Sequence, residues 1–180
     1  MRIGIDISQI VYEGTGVGTY VRKLVTELIR RDTKNSYILF GATLRQRAKL
    51  LSFYNSLPCD RKRVRLCIIP IPPTVLDILW NTFHIIPIEW FTGTIDVFWS
   101  SDWTQPPLLH ARGVTTVHDL SILRYPESFN KKILSVQTRR LHRIKQECDA
   151  FLCDSIATQQ DIVKLLDIDK QKTHVVYPGF

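Results

Sequence analysis

Short, nearly all-apolar runs recur along this chain, each separated from the next by a stretch with helical periodicity. That alternation leaves few folds open. Ile3–Ile7, Tyr37–Phe40, Val64–Ile69, Ile95–Trp99, Val114–Val117, Ala150–Cys153 and His174–Tyr177 read as seven strands. Strands apolar on both faces belong to parallel sheets covered by helices on either side. Between the first two, Val17, Tyr20, Val21, Leu24, Val25, Leu28 and Ile29 recur at helical spacing. Thr43 to Tyr54 predicts a helix with Leu44, Ala48 and Leu51 on one side, and another is expected near Val75–Phe83. Ser128 can cap a long helix reaching Glu147, with Ile133, Leu134, Leu141 and Ile144 as its apolar stripe; Ser155 can cap one through Leu166. The fold class predicted is α/β: a single Rossmann-like domain over residues 1–180, with a doubly wound, mostly parallel sheet and helices on both faces. Ligands of such sheets bind at the carboxyl ends of the strands, near the switch in strand order. Residues 8–16, 100–107 and 118–127 are the loops in question.

The first of these loops carries Gly14-Thr-Gly-Val-Gly18 and opens onto a helix N-terminus. Bare N–H groups and the positive end of the helix dipole make such a corner an anion site, and glycines let a ligand approach the backbone. The alternative is a loop whose glycines only fit the turn. The dinucleotide fingerprint does not fit: the glycines begin seven residues after the strand, Thr19 stands where the third glycine belongs, and Phe40-Gly41 replace the ribose-binding acid. No Walker lysine follows Gly18 either.

The chain carries 24 basic against 17 acidic residues, a net +7, which points to anionic partners without choosing among them. Helix-turn-helix, zinc and RNP-type signatures are lacking, which argues against nucleic acid. The four cysteines, Cys59, Cys67, Cys148 and Cys153, include no C-x-x-C pair and read as reduced, mostly buried thiols. The most apolar stretch, Leu66 to Ile88, is interrupted by Pro70, Pro72, Pro73, Asp77 and Pro87. It is a poor membrane span, and the first residues lack a signal-peptide pattern. The expected location is cytoplasmic, with peripheral attachment to the inner face of a membrane.

Three further groups are candidates for function. His118-Asp119 follows a buried strand on the same rim as the glycine loop. The histidine can donate to a sugar hydroxyl or a developing negative charge; alternatively His118 packs at the strand end and Asp119 caps the next turn. Trp103, flanked by Asp102 and Pro106, lies where an acceptor could stack, or simply packs in its loop. Arg45, Arg47, Lys49, Arg61, Lys62 and Arg63 form one basic cluster; Lys132, Arg139 and Arg143 lie on one face of the long helix. They read as contacts to anionic lipid headgroups, or as solvated helix faces.

In register along the chain, Met1-Arg-Ile-Gly-Ile-Asp6, Gly14-Thr-Gly-Val-Gly-Thr-Tyr20, Val117-His-Asp-Leu120 with Arg124-Tyr-Pro-Glu127, Cys148 to Ser155, and Val175-Val-Tyr-Pro-Gly179 resemble the N-terminal domain of the family-four, GT-B-fold retaining glycosyltransferases. The resemblance implies one half of a GT-B fold, the acceptor-binding half of an enzyme that moves a sugar from a nucleotide-sugar to a polysaccharide, lipid-linked or other glycan precursor. It implies that Gly14, Gly16, Val17 and Gly18 approach the donor phosphate or sugar, that His118 orients the transferred sugar, and that Asp119 positions. Asp102, Trp103 and Arg124 are the acceptor-side candidates. No metal or cofactor is implied. The family's second domain, with its donor-binding residues, is not in this sequence, so the expected partner is a C-terminal donor-binding domain, in cis or as a separate chain. Alone, this chain is expected to be inactive. The competing reading is a free-standing Rossmann-like module that binds a partner protein or an anionic membrane without catalysis.

Overall fold

The computed structural model describes residues 1–178; Gly179 and Phe180, which end the terminal motif, lie outside the described residues. The elements run β1 (Arg2–Asp6), a 3₁₀ turn (Ser8–Val11), α1 (Gly16–Arg31), β2 (Ser36–Ala42), α2 (Arg47–Ser56), β3 (Val64–Ile69) and α3 (Pro73–Leu76). A π-helical stretch (Asp77–Thr82) continues α3, and then come α4 (Glu89–Thr92), β4 (Val97–Ser100), β5 (Arg112–Val117), α5 (Ser121–Arg124), α6 (Lys131–Glu147), β6 (Cys148–Cys153), α7 (Ile156–Leu166) and β7 (Thr173–Val175). The sheet order is β3-β2-β1-β4-β5-β6-β7, and every neighbouring pair is parallel. The order reverses between β1 and β4, the place where an open α/β sheet forms a crevice.

Both faces of the sheet are covered, and β2 makes the reason visible. Tyr37 and Leu39 join one core with Ile5, Val21, Val25, Ile29, Leu50, Phe53 and Trp99. Ile38 and Phe40, one residue out of phase, join the opposite core with Leu76, Trp80, Ile88 and Phe98. A strand's side chains alternate between faces, so only an apolar run can serve two cores at once. A third cluster packs β5 and β6 against α5, α6 and α7 through Val117, Leu141, Ile144, Phe151 and Ile162. Each fully buried side chain of this size contributes roughly 1.5–3 kcal/mol.

Local chemistry sets the helix ends. Thr15 caps α1, its hydroxyl accepting from the Gly18 N–H, and Arg30 and Arg31 sit at the negative end of the dipole. Ser155 caps α7 as expected, accepting from Thr158. Ser128 does not cap α6. It ends a short 3₁₀ turn, Pro126–Ser128, and Asn130 is the cap, Oδ1 accepting from the Ile133 N–H at 2.9 Å. The chain needs the turn to reverse from α5, so the helix begins later. α2 is likewise shifted. It starts at Arg47, and Leu50 and Phe53 are its buried residues, while Leu44, Ala48 and Leu51 are exposed. The stripe read from Leu44 took its phase from a residue that lies in the preceding loop. The four cysteines are free; Cys148 and Cys153 are buried, Cys59 and Cys67 half-buried. No helix of the described residues is long and apolar enough to cross a membrane.

Replacing Asn130 with Ala should lower unfolding free energy by about 1 kcal/mol, while Ser128→Ala should change it by less than about 0.5 kcal/mol. Urea unfolding of the two variants beside the parent chain measures both.

Candidate functional site

All strands point the same way, so their carboxyl ends share one edge. β1 ends in Asp6; β4 runs on into Ser101 and Asp102; β5 runs on into His118 and Asp119; β6 runs on into Asp154. Val117 and Cys153 are paired in register, which brings the next residues side by side. His118 Nδ1 and Asp154 Oδ2 are 2.6 Å apart. A neutral ring held this way carries its proton on Nδ1 and leaves Nε2 as an acceptor. Tyr20 from α1 stands edge-on to the His118 ring, with centroids 5.1 Å apart, and 6.3 Å from the ring of Trp99.

Beneath this rim lies a cavity of about 200 Å³. Val17, Asp102, His118 and Asp119, all singled out from the sequence, line it together with Gln137, Arg140 and the apolar side chains of Ile122, Phe129, Ile133 and Leu141. A larger groove, about 870 Å³, opens on the other side of α1's first turn between Gly14, Gly16, Tyr20 and Lys23 on one bank and Val176–Pro178 on the other.

The glycines divide into separate roles. Gly14 has φ +80°, a left-handed conformation suited to glycine. Gly18 is required by packing, because a Cβ there would stand 2.9 Å from the Tyr12 carbonyl and 3.0 Å from that of Gln9. Gly16 meets nothing within 4 Å and leaves bare backbone facing the groove. The Gly18 N–H is taken by Thr15 Oγ1 and the Thr19 N–H by the Thr15 carbonyl, so the N–H groups of Gly16 and Val17 are the ones the first turn leaves open.

Polar groups on this edge are buried with hydrogen-bonding capacity to spare. Tyr20 Oη, Asp102 Oδ1 and Asp154 Oδ1 are buried and make no hydrogen bond. Burial first, with the Asp154 charge behind it, holds the Tyr20 phenol above its ordinary pKa against the pull of the nearby Thr116 hydroxyl. Asp6 is also raised: burial dominates and the Asp102 charge adds to it, while hydrogen bonds from Ser8 and Ser101 oppose it. Arg140, 3% exposed, donates from Nε to the Ser101 carbonyl at 3.2 Å and from Nη2 to Thr115 Oγ1 at 2.8 Å and the Thr116 carbonyl at 3.1 Å. Its burial lowers its pKa, and the Asp102 charge partly restores it.

Arg140 and Asp154 were not among the sequence candidates, though each left a signal. Arg140 lies four residues after Val136 and four before Ile144, on the buried stripe of α6, where an arginine is out of place. Asp154 occupies on β6 the position that His118 occupies on β5.

Other candidates lie elsewhere. Arg124 is paired with Asp161 of α7 and stays off the cavity. Trp103 faces a shallow recess with Ser8, Gln9 and Tyr12, and its carbonyl accepts from Asn81 at 3.0 Å. Asp119 Oδ1 accepts from the Ser121 N–H at 2.7 Å, so it caps the turn while also lining the cavity. The basic clusters are not free cationic surfaces throughout. Arg61 holds the Tyr54 and Asn55 carbonyls, Arg63 those of Asp32 and Asn35, and Lys49 that of Val11. Arg139 pairs with Asp77, and Arg143 binds the Asn81 and Thr82 carbonyls of the π-helical stretch. Arg45, Arg47, Lys62 and Lys132 are exposed. Among the described residues no group of three or more His, Cys, Asp or Glu side chains is gathered as a metal site.

The model of the family described as Glycosyltransferase Family 4 matches residues 14–180. The chain belongs to this family. No curated protein matches its sequence significantly. The match begins at Gly14 and so takes in the glycine loop, the His118-Asp119 segment and the strand that leads into Asp154. In this family-four domain those three parts meet on one edge of the sheet.

Because the folded pKa of Asp6 is raised, its ionisation works against the fold. The penalty is absent below the unfolded value of about 4, grows as pH rises through it, and is complete once pH exceeds the folded value. Asp6→Asn should therefore be more stable than the parent at pH 7, with the gap closing toward pH 3 in thermal melts. At the histidine, Asp154→Ala should release the tautomer. ¹⁵N spectra of neutral His118, Nδ1-protonated in the parent, should show a mixture in the variant.

Proposed function

We propose that this domain is the acceptor-binding half of a retaining glycosyltransferase, acting with a donor-binding domain supplied in cis or as a separate chain. The observation that carries this reading is the His118–Asp154 pair, its histidine on a cavity that Asp102 and Asp119 also line, next to a bare glycine-loop backbone. Carboxylates and an acceptor nitrogen with free lone pairs suit a ligand rich in hydroxyl donors. The open N–H groups of Gly16 and Val17, at the positive end of α1, suit a diphosphate beside it.

In the reaction, the bond from the sugar's anomeric carbon to the donor phosphate breaks. A bond to the acceptor oxygen forms on the same face, and the acceptor proton passes to the leaving phosphate oxygen. Negative charge develops on that phosphate, where the helix N-terminus stabilises it without reorganising. His118, fixed by Asp154 and flanked by Tyr20, orients the transferred sugar. The substrates are a nucleotide-sugar and a glycan or lipid-linked acceptor, and the exposed Arg45, Arg47, Lys62 and Lys132 provide peripheral attraction to an anionic membrane.

The test is transfer from a panel of nucleotide-sugars with a donor-binding domain present. Transfer is expected only when both halves are combined, and His118→Ala should reduce turnover by roughly a hundredfold with an unchanged melting temperature. Wild-type turnover in that variant removes His118 from the site; absence of transfer with every donor and acceptor overturns the transferase reading.

A further inference from the structure

Arg140 and Asp102 line the cavity but have no part in the reaction as written. A guanidinium that is 3% exposed carries a desolvation cost of several kcal/mol, and here no carboxylate forms an ion pair with it among the described residues. Nε and Nη2 are satisfied by Ser101, Thr115 and Thr116; Nη1 meets no acceptor among the described residues. Asp102 is the mirror case. Its backbone carbonyl accepts from Gln137 at 3.0 Å, but neither carboxylate oxygen receives a donor among the described residues, and Oδ1 is buried. The two side chains sense each other's charge and border the same space. One has a donor to spare and the other has acceptors.

We propose that Arg140 and Asp102 clamp two adjacent hydroxyls of the terminal sugar of a neutral glycan acceptor, Nη1 donating to one and the Asp102 carboxylate accepting from its neighbour. A vicinal diol offers an acceptor and a donor on neighbouring carbons, and each hydroxyl can serve as either. The volume agrees: about 200 Å³ is room for roughly one sugar ring, below the ~300–1,000 Å³ of pockets that hold larger ligands. Ile122, Phe129, Ile133 and Leu141 supply an apolar wall for the ring's C–H face. The charge agrees as well. An anionic group would meet Asp102 and Asp119 around one guanidinium, whereas a neutral polyol leaves the Arg140–Asp102 pair mutually compensated. The word acceptor rests on the transferase reading; the clamp itself does not.

The experiment is NMR on the full chain, following the Arg140 Nε–H resonance. The probes are methyl glucosides, mannosides and galactosides, their single-deoxy analogues, methyl glucuronide and inorganic phosphate. At least one neutral glycoside should shift that resonance with millimolar affinity. Asp102→Asn should weaken it about tenfold or more, and so should removal of either hydroxyl of one vicinal pair. Arg140→Gln, followed through the backbone amides of Asp119 and Gln137 instead, should show no binding; if that variant does not fold, Asp102→Asn and the deoxy series decide alone. A shift produced only by phosphate or glucuronide, neutral binding untouched by Asp102→Asn, or no binding by any glycoside overturns the clamp. Sugar binding without transfer by the combined halves leaves the clamp standing and removes the transferase reading. Transfer to an acceptor that lacks a vicinal diol does the reverse.

Discussion

Seven strands that all run the same way bring every carboxyl end to one edge of the sheet, and each end brings its strand's last polar side chains with it. Parallel strands require crossovers, the crossovers place helices on both faces, and the helices leave that edge as the open one. The reversal of order between β1 and β4 then separates the glycine loop, which leaves β1, from Asp102, which leaves β4. α1 drops into the gap. Its first turn divides the groove from the cavity, with Gly16 on the groove side, Val17 on the cavity side and Tyr20 against His118. The neighbours Thr115 and Thr116 on β5 continue the division: Thr115 meets Arg140 of α6, and Thr116 receives the Trp99 indole N–H. The site depends on strand direction before it depends on any one residue.

Strand identity was legible because apolar runs that serve two cores have no competing reading. Val64–Ile69 is a strand to the residue, and the serine cap of α7 follows from local chemistry alone. The errors fall where a tertiary constraint overrides a local signal. Asn130 takes the cap that Ser128 was expected to provide because the Pro126–Ser128 turn must first be completed. The phase of α2 could not be taken from Leu44 because that residue is not yet in the helix. At the candidate site, Gly14, His118 and Asp102 were singled out from position along the chain and Val17 from the family resemblance, and the fold brings them to one edge. Arg140 and Asp154 needed the fold, since a buried arginine differs from a solvated one only by what surrounds it.

The same ambiguity explains the excess of positive charge. In sequence, Arg61, Arg63, Arg139 and Arg143 look like a surface made for anions. In the fold they hold carbonyls at helix ends and turns, or pair with Asp77. An arginine's planar donors suit such work where a lysine's point charge does not. Net charge counts these clips together with the free cations, so it overstates the surface left to attract a partner.

Near the cavity the balance is reversed. Asp6, Asp102, Asp119 and Asp154 stand along this edge, Asp102 within reach of the Arg140 charge, and the fold relieves the crowding in three ways. Asp6 is driven toward its neutral form by burial and the Asp102 charge. Asp154 is shared with the His118 ring, and Asp119 is partly spent on a backbone N–H. Asp102 is the carboxylate without such relief, and Arg140 is the cation without a direct partner. Of their free polar atoms Asp102 Oδ1 is the one buried without a donor, and an unmade buried hydrogen bond costs about 1–3 kcal/mol, more for a charge, a cost that the proposed diol would offset.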